Sequence, residues 1–539
     1  MKKYSIVLII LIFSGFYTSV LGADADIEEQ PSNIVGSIEY TVSISSTTCD
    51  NISVNLRITR LPEARDTANP FIAIYKGNVD FRSLEIVKKD GERIPYRQSG
   101  EKMSVVLTED HIDIKYEVHL GHLAKHGSQG IQTGSIVAFA GEHIFLIVLQ
   151  DFVKDMKVKF NMPKGWSGII PESKNPGEKG YGWFEMFSLL KNCYAFGSFE
   201  KKAFRVKGCA LNVYFSRKEL HIDEQDKFAG GCLKLYDYYC QLFNSAPKKY
   251  NIVLMNMTKE GERVFCGSGD SCQGSSITDT MKDWQLLSHR MFHSFFDNIV
   301  RVKEIHLPPQ DWLMEAMATY YENKSLDSIG DVRFSSREAF AELFRRYLYF
   351  RIIIPNLLVK SPKDEKTIES RGKMEFVHYA QAPLVLYALE RHLKSIYGGL
   401  RCDFLLNWCI ENRDEPGRFL DILQALNESV GGKLEDFIKK YIQLNDIIPL
   451  WDCFPGLKED PGEIVKSLKD FDEIMYSWFL MDNLKYDRPD IKYIKYSSAD
   501  DKLHDIINKD VHFATPEIEE RIMLFSPVLH ALLVQFFSN

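Results

Sequence analysis

Ser288-His289-Arg290-Met291-Phe292-His293 places two histidines four positions apart. On an α-helix that spacing puts both imidazoles on one face, one turn apart, where they can share a metal ion. Glu315 follows the second histidine by 22 residues, inside Trp312-Leu313-Met314-Glu315-Ala316-Met317-Ala318-Thr319-Tyr320-Tyr321. Two histidines and one glutamate form a ligand set of catalytic zinc sites, which keep a fourth position for water. The same spacing also fits two histidines that bind nothing, so the surrounding elements decide what it means.

Trp284, Leu287, Met291, Phe292, Phe295, Phe296, Ile299 and Val300 recur with the helical period. They outline a long, buried helix that carries both histidines. Trp312–Asn323 reads as the next helix, and His306-Leu307-Pro308-Pro309 breaks the chain between them. Two such antiparallel helices can bring Glu315 to the imidazoles. Arg337–Ile354, Met374–Tyr397, Phe404–Glu411, Arg418–Ser429 and Leu434–Leu444 are further helices on the same criterion. From about Ser37 to Phe204 the period is two instead, in many short runs such as Ser37–Ile44 and Ile52–Ile58. Such runs, spaced by Gly, Pro, Asn and Asp, predict an antiparallel sandwich. Between the two regions lie a strand at Leu211–Phe215, a helix at Phe228–Leu242, a strand at Asn251–Met255 and a loop at Cys266–Ser276.

The expected architecture is α+β and multidomain. An N-terminal antiparallel β-sandwich spans 23–205, a small mixed α/β subdomain 206–280 and a helical subdomain 281–455. Pro455 and Pro461 punctuate a boundary, and 456–539 reads as mostly helical without a legible motif. The 539 residues are 45% hydrophobic and 26% charged, which excludes a disordered chain. The net charge of −8, with no basic run, argues against a nucleic-acid partner. Met1-Lys2-Lys3, an apolar run from Ile6 to Phe16, and Val20-Leu21-Gly22-Ala23 read as a secretory signal peptide over 1–22. That run is too short to span a bilayer comfortably, and no later stretch of eighteen apolar residues exists. The mature chain is therefore expected to be secreted or periplasmic, without a membrane span. Ten cysteines include no Cys-x-x-Cys pair, and Cys266 and Cys272 are expected to close the Gly/Ser loop between them.

Over roughly 35–450 the chain resembles the gluzincin zinc metallopeptidases, and among them the glycyl aminopeptidase-like family. Those enzymes carry His-Glu-x-x-His on one helix and a Trp-x-x-Glu-Gly-x-x-x-Tyr-Tyr type motif on the next. Trp312, Glu315, Tyr320 and Tyr321 fit the second motif. Tyr379-Ala380-Gln381-Ala382-Pro383-Leu384-Val385 resembles the family's Tyr-x-Lys-Gly-Ala-Leu-Val helix. The order of β domain, α/β piece and helical subdomain also matches. The resemblance implies a thermolysin-like zinc subdomain with His289, His293 and Glu315 as metal ligands. It puts Tyr379 at the position that stabilises the oxyanion, and Gly267, Gly269 and Asp270 along the substrate cleft.

The departures are as informative. The general-base glutamate of His-Glu-x-x-His is Arg290, a permanent cation that cannot accept a proton. Loss of general-base catalysis costs about 10²–10⁴-fold. Zinc held by two neutral histidines and one glutamate carries a charge of +1. A guanidinium about 5 Å away opposes it by roughly 3 kcal/mol at an effective dielectric near 20. Zinc is the expected cofactor unless Arg290 has replaced it by pairing with Glu315. The acidic residue of the family's Gly-rich strand is absent, with only Asp270 nearby, and the Lys-Gly after the tyrosine is Gln381-Ala382.

Three readings follow. The first is an exported metallopeptidase-like protein of aminopeptidase type, impaired in catalysis, that retains the cleft and binds a peptide or protein. The second is an active zinc metallopeptidase using another base, with Asp270, Asp297 and Glu322 as candidates. The third is an unrelated exported binding protein whose histidine pair is accidental. It requires that His289, His293 and Glu315 do not converge within about 5 Å.

Overall fold

The structure is a computed structural model. It describes residues 34–454 apart from 45–50, 63–70, 78, 80, 101, 108, 120–129, 134–135, 151–152, 172–180, 217–221, 256–271, 277–279, 308–309, 354–376, 398–402, 444–445, 447, 449 and 451–452. The signal-peptide segment, the cleft residues Gly267, Gly269 and Asp270, and the helical reading of 456–539 lie outside the described residues. The chain divides into two compact units, one ending at Lys303 and the other starting at Glu304.

Among the described residues the first unit opens with thirteen strands. They are β1 (Val35–Ser43), β2 (Asn51–Arg60), β3 (Phe71–Tyr75), β4 (Phe81–Val87), β5 (Tyr96–Ser99), β6 (Lys102–Val106), β7 (His111–His119), β8 (Gly130–Thr133), β9 (Ile136–Ala140), β10 (Ile147–Leu149), β11 (Asp155–Asn161), β12 (Ser167–Ile169) and β13 (Cys193–Gly197). They form three sheets, ordered β11-β1-β2-β7-β4, β10-β3-β6-β5 and β12-β13-β9-β8. The period-two residues of all three, among them Ile38, Tyr40, Val54, Ile74, Val105 and Phe139, share one buried core. The buried hydroxyls of Tyr40 and Tyr116 donate to the Leu146 and Ile144 carbonyls at 2.6 and 2.7 Å. The pairing is antiparallel except for β1 with β11, which is parallel. A long intervening chain joins those two strands, so no hairpin imposes the antiparallel sense.

A short helix, α1 (Trp183–Lys191), precedes β13. Its end packs on the 3-10 turn Gly141–His143 so closely that a Cβ on Gly141 would meet the Leu189 carbonyl oxygen at 2.0 Å. The contact sets Lys191 against Glu142, Nζ to Oε2 3.3 Å, with both side chains buried. Burial alone would raise the Glu142 pKa, but Lys191 and His143 outweigh it and hold the carboxyl down to about 2.

A mixed sheet follows, built from β14 (Phe199–Val206), β15 (Cys209–Ser216), β16 (Lys249–Met255) and β17 (Cys272–Ser276) in that order. The β14–β15 pair is an antiparallel hairpin, whereas β15, β16 and β17 run parallel. Parallel neighbours need a crossover, and helix α2 (Ile222–Leu242) supplies the one from β15 to β16. The sequence reading placed a loop over Cys266–Ser276. Its last five residues are instead the parallel strand β17, whose order comes from the β16 ladder rather than from any alternation of its own. The expected Cys266–Cys272 closure is also corrected. Cys272 is a free, buried thiol packed with Ala195 and Val253, and its amide donates to Asn192 Oδ1 at 2.9 Å.

Helix α3 (Met281–Ile299) completes this unit. Thr280 and Asp283 start it with a reciprocal capping box, Thr280 Oγ1 accepting from the Asp283 amide and Asp283 Oδ2 from the Thr280 amide. Its apolar face packs on α2, where Gly231 leaves room for the Trp284 indole: a Cβ there would meet the ring at 2.3 Å.

The second unit is helical in its described residues. It comprises α4 (Asp311–Ile329), α5 (Ser336–Ile353), α6 (Ala382–Tyr397), α7 (Phe404–Glu411), α8 (Ile422–Ser429) and α9 (Glu435–Ile438). A π turn at Val377–Gln381 leads into α6, where the sequence suggested one continuous helix. Gly330, at φ 70°, ends α4 in the left-handed conformation that glycine adopts without strain. The α4 helix is buried nearly all round, which accounts for its lack of a polar face.

Candidate metal centre

Helix α3 is anchored from behind by buried polar contacts. The Tyr239 hydroxyl of α2 lies 2.7 Å from Ser288 Oγ. The Tyr250 hydroxyl of β16 donates to Ser294 Oγ at 2.9 Å, and that hydroxyl donates to the Arg290 carbonyl, also at 2.9 Å. Phe292 and Phe295 pack against Phe243 with ring centroids 5.6 Å apart in each case. With that face committed, His289 and His293 project together, their Nε2 atoms 3.1 Å apart. Two nitrogens bound tetrahedrally at about 2.1 Å would be about 3.4 Å apart, so the pair fits one shared ion.

Glu315 is buried on α4, and the Tyr379 hydroxyl donates to its Oε2 at 3.1 Å. The π turn that carries Tyr379 is a local irregularity of the kind often found at functional sites. His289, His293 and Glu315 each offer one ligand atom, and these atoms all lie within 4.8 Å of one another. Among the described residues they are the group that could hold a metal ion. The accidental-pair reading required separation beyond about 5 Å and is set aside.

Two imidazoles and one carboxylate, with a tyrosine bonded to the carboxylate, make a donor set that could hold zinc. Tyr379 is thus bonded to one of the three candidate ligands. Tyr379→Phe removes the bond that orients Glu315 and is expected to weaken zinc binding about tenfold or more. Competition against a chromophoric chelator measures it, and an unchanged affinity would refute the orienting role.

Arg290 is 2% exposed, and its Nη1 donates to the Gly274 carbonyl of β17 at 2.8 Å. The guanidinium thus ties the histidine helix to β17, the neighbour of β16 in the sheet. Of the alternative bases, Asp270 is outside the described residues. Glu322 stands seven residues along α4 from Glu315, about 10 Å of helix rise away. Asp297 is half-buried one turn beyond His293.

One residue near the candidate ligands was missed by sequence reasoning. Asp311 lies one turn before Glu315. Burial raises its pKa, while the neighbouring His378 opposes the shift. Its i−4 spacing from Glu315 was the available signal.

No protein-family model matches the chain, and no curated protein matches it. Solved structures do. The chain is similar to an aminopeptidase N family protein from Idiomarina loihiensis, with TM-score 0.58, 14% identity and 78% of each chain covered. An M1 zinc metallopeptidase from Deinococcus radiodurans gives TM-score 0.49 at 12% identity, over 77% of this chain and 95% of that one. A mutant of the latter bound to a Tyr-Ser-Ala substrate gives TM-score 0.49 at 11% identity, with the same coverage. The chain therefore shares the fold of an aminopeptidase N family protein, in keeping with the metallopeptidase-like fold expected from its motifs.

Proposed function

We propose that the protein is an exported, aminopeptidase-like zinc protein that binds peptides in its cleft and hydrolyses them poorly. The observation that carries this reading is a ligand set of two histidines and a glutamate with arginine at the base position. Zinc, when bound, supplies a Lewis acid and an acidified water. His289, His293 and Glu315 would hold it, and Tyr379 orients Glu315. Arg290 cannot take a proton from a water or hand one to a leaving amine, so the step that needs both is unsupported. The start of the chain, with its basic residues and short apolar run, supports export.

A second reading, hydrolysis by a different base, has one observation in its favour. Asp311 carries a raised carboxyl pKa on the same helix as Glu315, beside His378. The two readings separate in an assay of the zinc-loaded chain on a tripeptide with a free amino end. The impaired reading expects turnover no faster than a chelator-treated control. Cleavage abolished both by chelator and by His293→Ala would overturn it.

A further inference from the structure

The β14–β15 hairpin closes through a two-residue turn in which Lys207 and Gly208 are both left-handed, at φ 49° and 84°. The turn makes Cys209 the first residue of β15, where its Sγ donates to the Ala246 carbonyl at 3.9 Å. It also aims Lys207 at the end of α2, and the Lys207 Nζ donates to the Cys240 carbonyl at 3.2 Å. Cys240 stands in the last turn of α2, one turn after Tyr236, whose hydroxyl donates to the Pro247 carbonyl at 3.1 Å. Cys209 and Tyr236 thus bond to successive carbonyls, and the Ala210 amide donates to the next one, on Lys248, at 3.0 Å. The start of β15, the end of α2 and the segment entering β16 meet at one place.

Cys209 and Cys240 are free thiols, 31 residues apart in sequence. The Tyr236 hydroxyl is in hydrogen-bonding contact with the Cys240 sulfur as well as with Pro247. Burial pushes the Cys240 thiol up to about 12, and the nearby Cys209 and Asp237 add to the rise, while Lys207 and Tyr236 oppose it. The two sulfurs are therefore neighbours. Cys240 is buried and Cys209 half-buried, so a reagent from solvent meets Cys209 first.

We infer that Cys209 and Cys240 are a disulfide-forming pair that fastens the end of α2 to the start of β15, with a small-molecule disulfide as oxidant. The Cys209 thiolate attacks one sulfur of the oxidant and breaks its S–S bond, and the first thiol leaves with the proton that Cys209 gave up. Cys240 then attacks the Cys209 sulfur, and the second thiol leaves with the Cys240 proton. Two electrons pass from the cysteine pair to the oxidant, which ends as two thiols. Such a bond persists in the oxidising compartment that the export reading supplies. Its consequence reaches the candidate metal centre, because Tyr239 of α2 supports Ser288 on the histidine helix.

The test starts from the full chain purified in reductant and exchanged under native conditions into millimolar oxidised glutathione. Free thiols are alkylated before a non-reducing digest. Mass spectrometry is expected to find the Cys209 and Cys240 peptides joined, two hydrogens lighter than the separate pair. The Tm of the oxidised chain is expected to exceed that of the reduced chain by about 5 °C or more, an increase that reductant abolishes. Cys209→Ser is expected to keep the Tm of the reduced wild type and to lose the increase. Alkylation of both cysteines in the oxidised chain would overturn the inference. So would glutathione that stays on Cys209 without transfer to Cys240. A joined pair with an unchanged or lower Tm would overturn the fastening role, and an increase that persists in Cys209→Ser would place the bond elsewhere. None of these readouts depends on bound metal, on peptide binding or on where the chain resides.

Discussion

Arg290→Glu is expected to raise chelator-sensitive cleavage of a short peptide with a free amino end by about 10²-fold or more over the wild type. The substitution restores a carboxylate next to His289, where a base can take a proton from water. Glutamate is two bonds shorter than arginine, so it releases the Gly274 carbonyl rather than pressing an oxygen against it. The change also removes a cation opposing the metal, so zinc binding tightens in the same variant. Rates on the tripeptide and zinc affinity by chelator competition check the two effects separately. Tighter zinc without faster cleavage would show that the missing base is not the whole of the impairment.

Glu142→Gln is expected to cost about 3–5 kcal/mol of stability, because it leaves the Lys191 ammonium buried without its carboxylate. The native pair implies a matching pH dependence. The folded-state pKa of Glu142 is depressed to about 2, below the unfolded value near 4.3. Its contribution is therefore complete above about pH 5 and is lost as pH falls towards 2. That linkage is worth up to about 3 kcal/mol and should flatten in Glu142→Gln. Chemical denaturation from pH 7 to pH 3 measures both. A variant as stable as the wild type, with the same acid limb, would remove Glu142 from the account. The pair locks the Gly141–His143 turn to the end of α1, where no side chain larger than glycine's fits at position 141.

Much of this was legible in the residues because it is local. The apolar period of α3, the Thr280 and Asp283 capping residues and the glycine after α4 are signals within one or two turns. The two strands of the β1–β2 hairpin alternate cleanly because one face meets the shared core. The candidate metal ligands were legible because a helix converts spacing into direction. What escaped depends on distant partners. Cys272-Gln273-Gly274-Ser275-Ser276 has no β-branched residue and no alternation, so only pairing with β16 makes it a strand. The cysteine expected to close a loop is instead consumed by packing on β13. Sequence revealed that Arg290 cannot be a base, but not that it would bond to Gly274. Asp311 acquires its raised pKa from burial, which no local pattern reports. The π turn before α6 had one local signal, Pro383, which has no N–H to donate to a carbonyl one turn earlier.

The central claim is that His289, His293 and Glu315 form a zinc centre that has kept its metal while losing its base. Elemental mass spectrometry of the purified chain tests this most directly, with His289→Ala as the control. The account predicts about one zinc per chain, lost in the variant. A wild-type chain that remains free of zinc at micromolar supply would contradict it, and would leave a peptidase scaffold in which Arg290 has displaced the metal as well as the base.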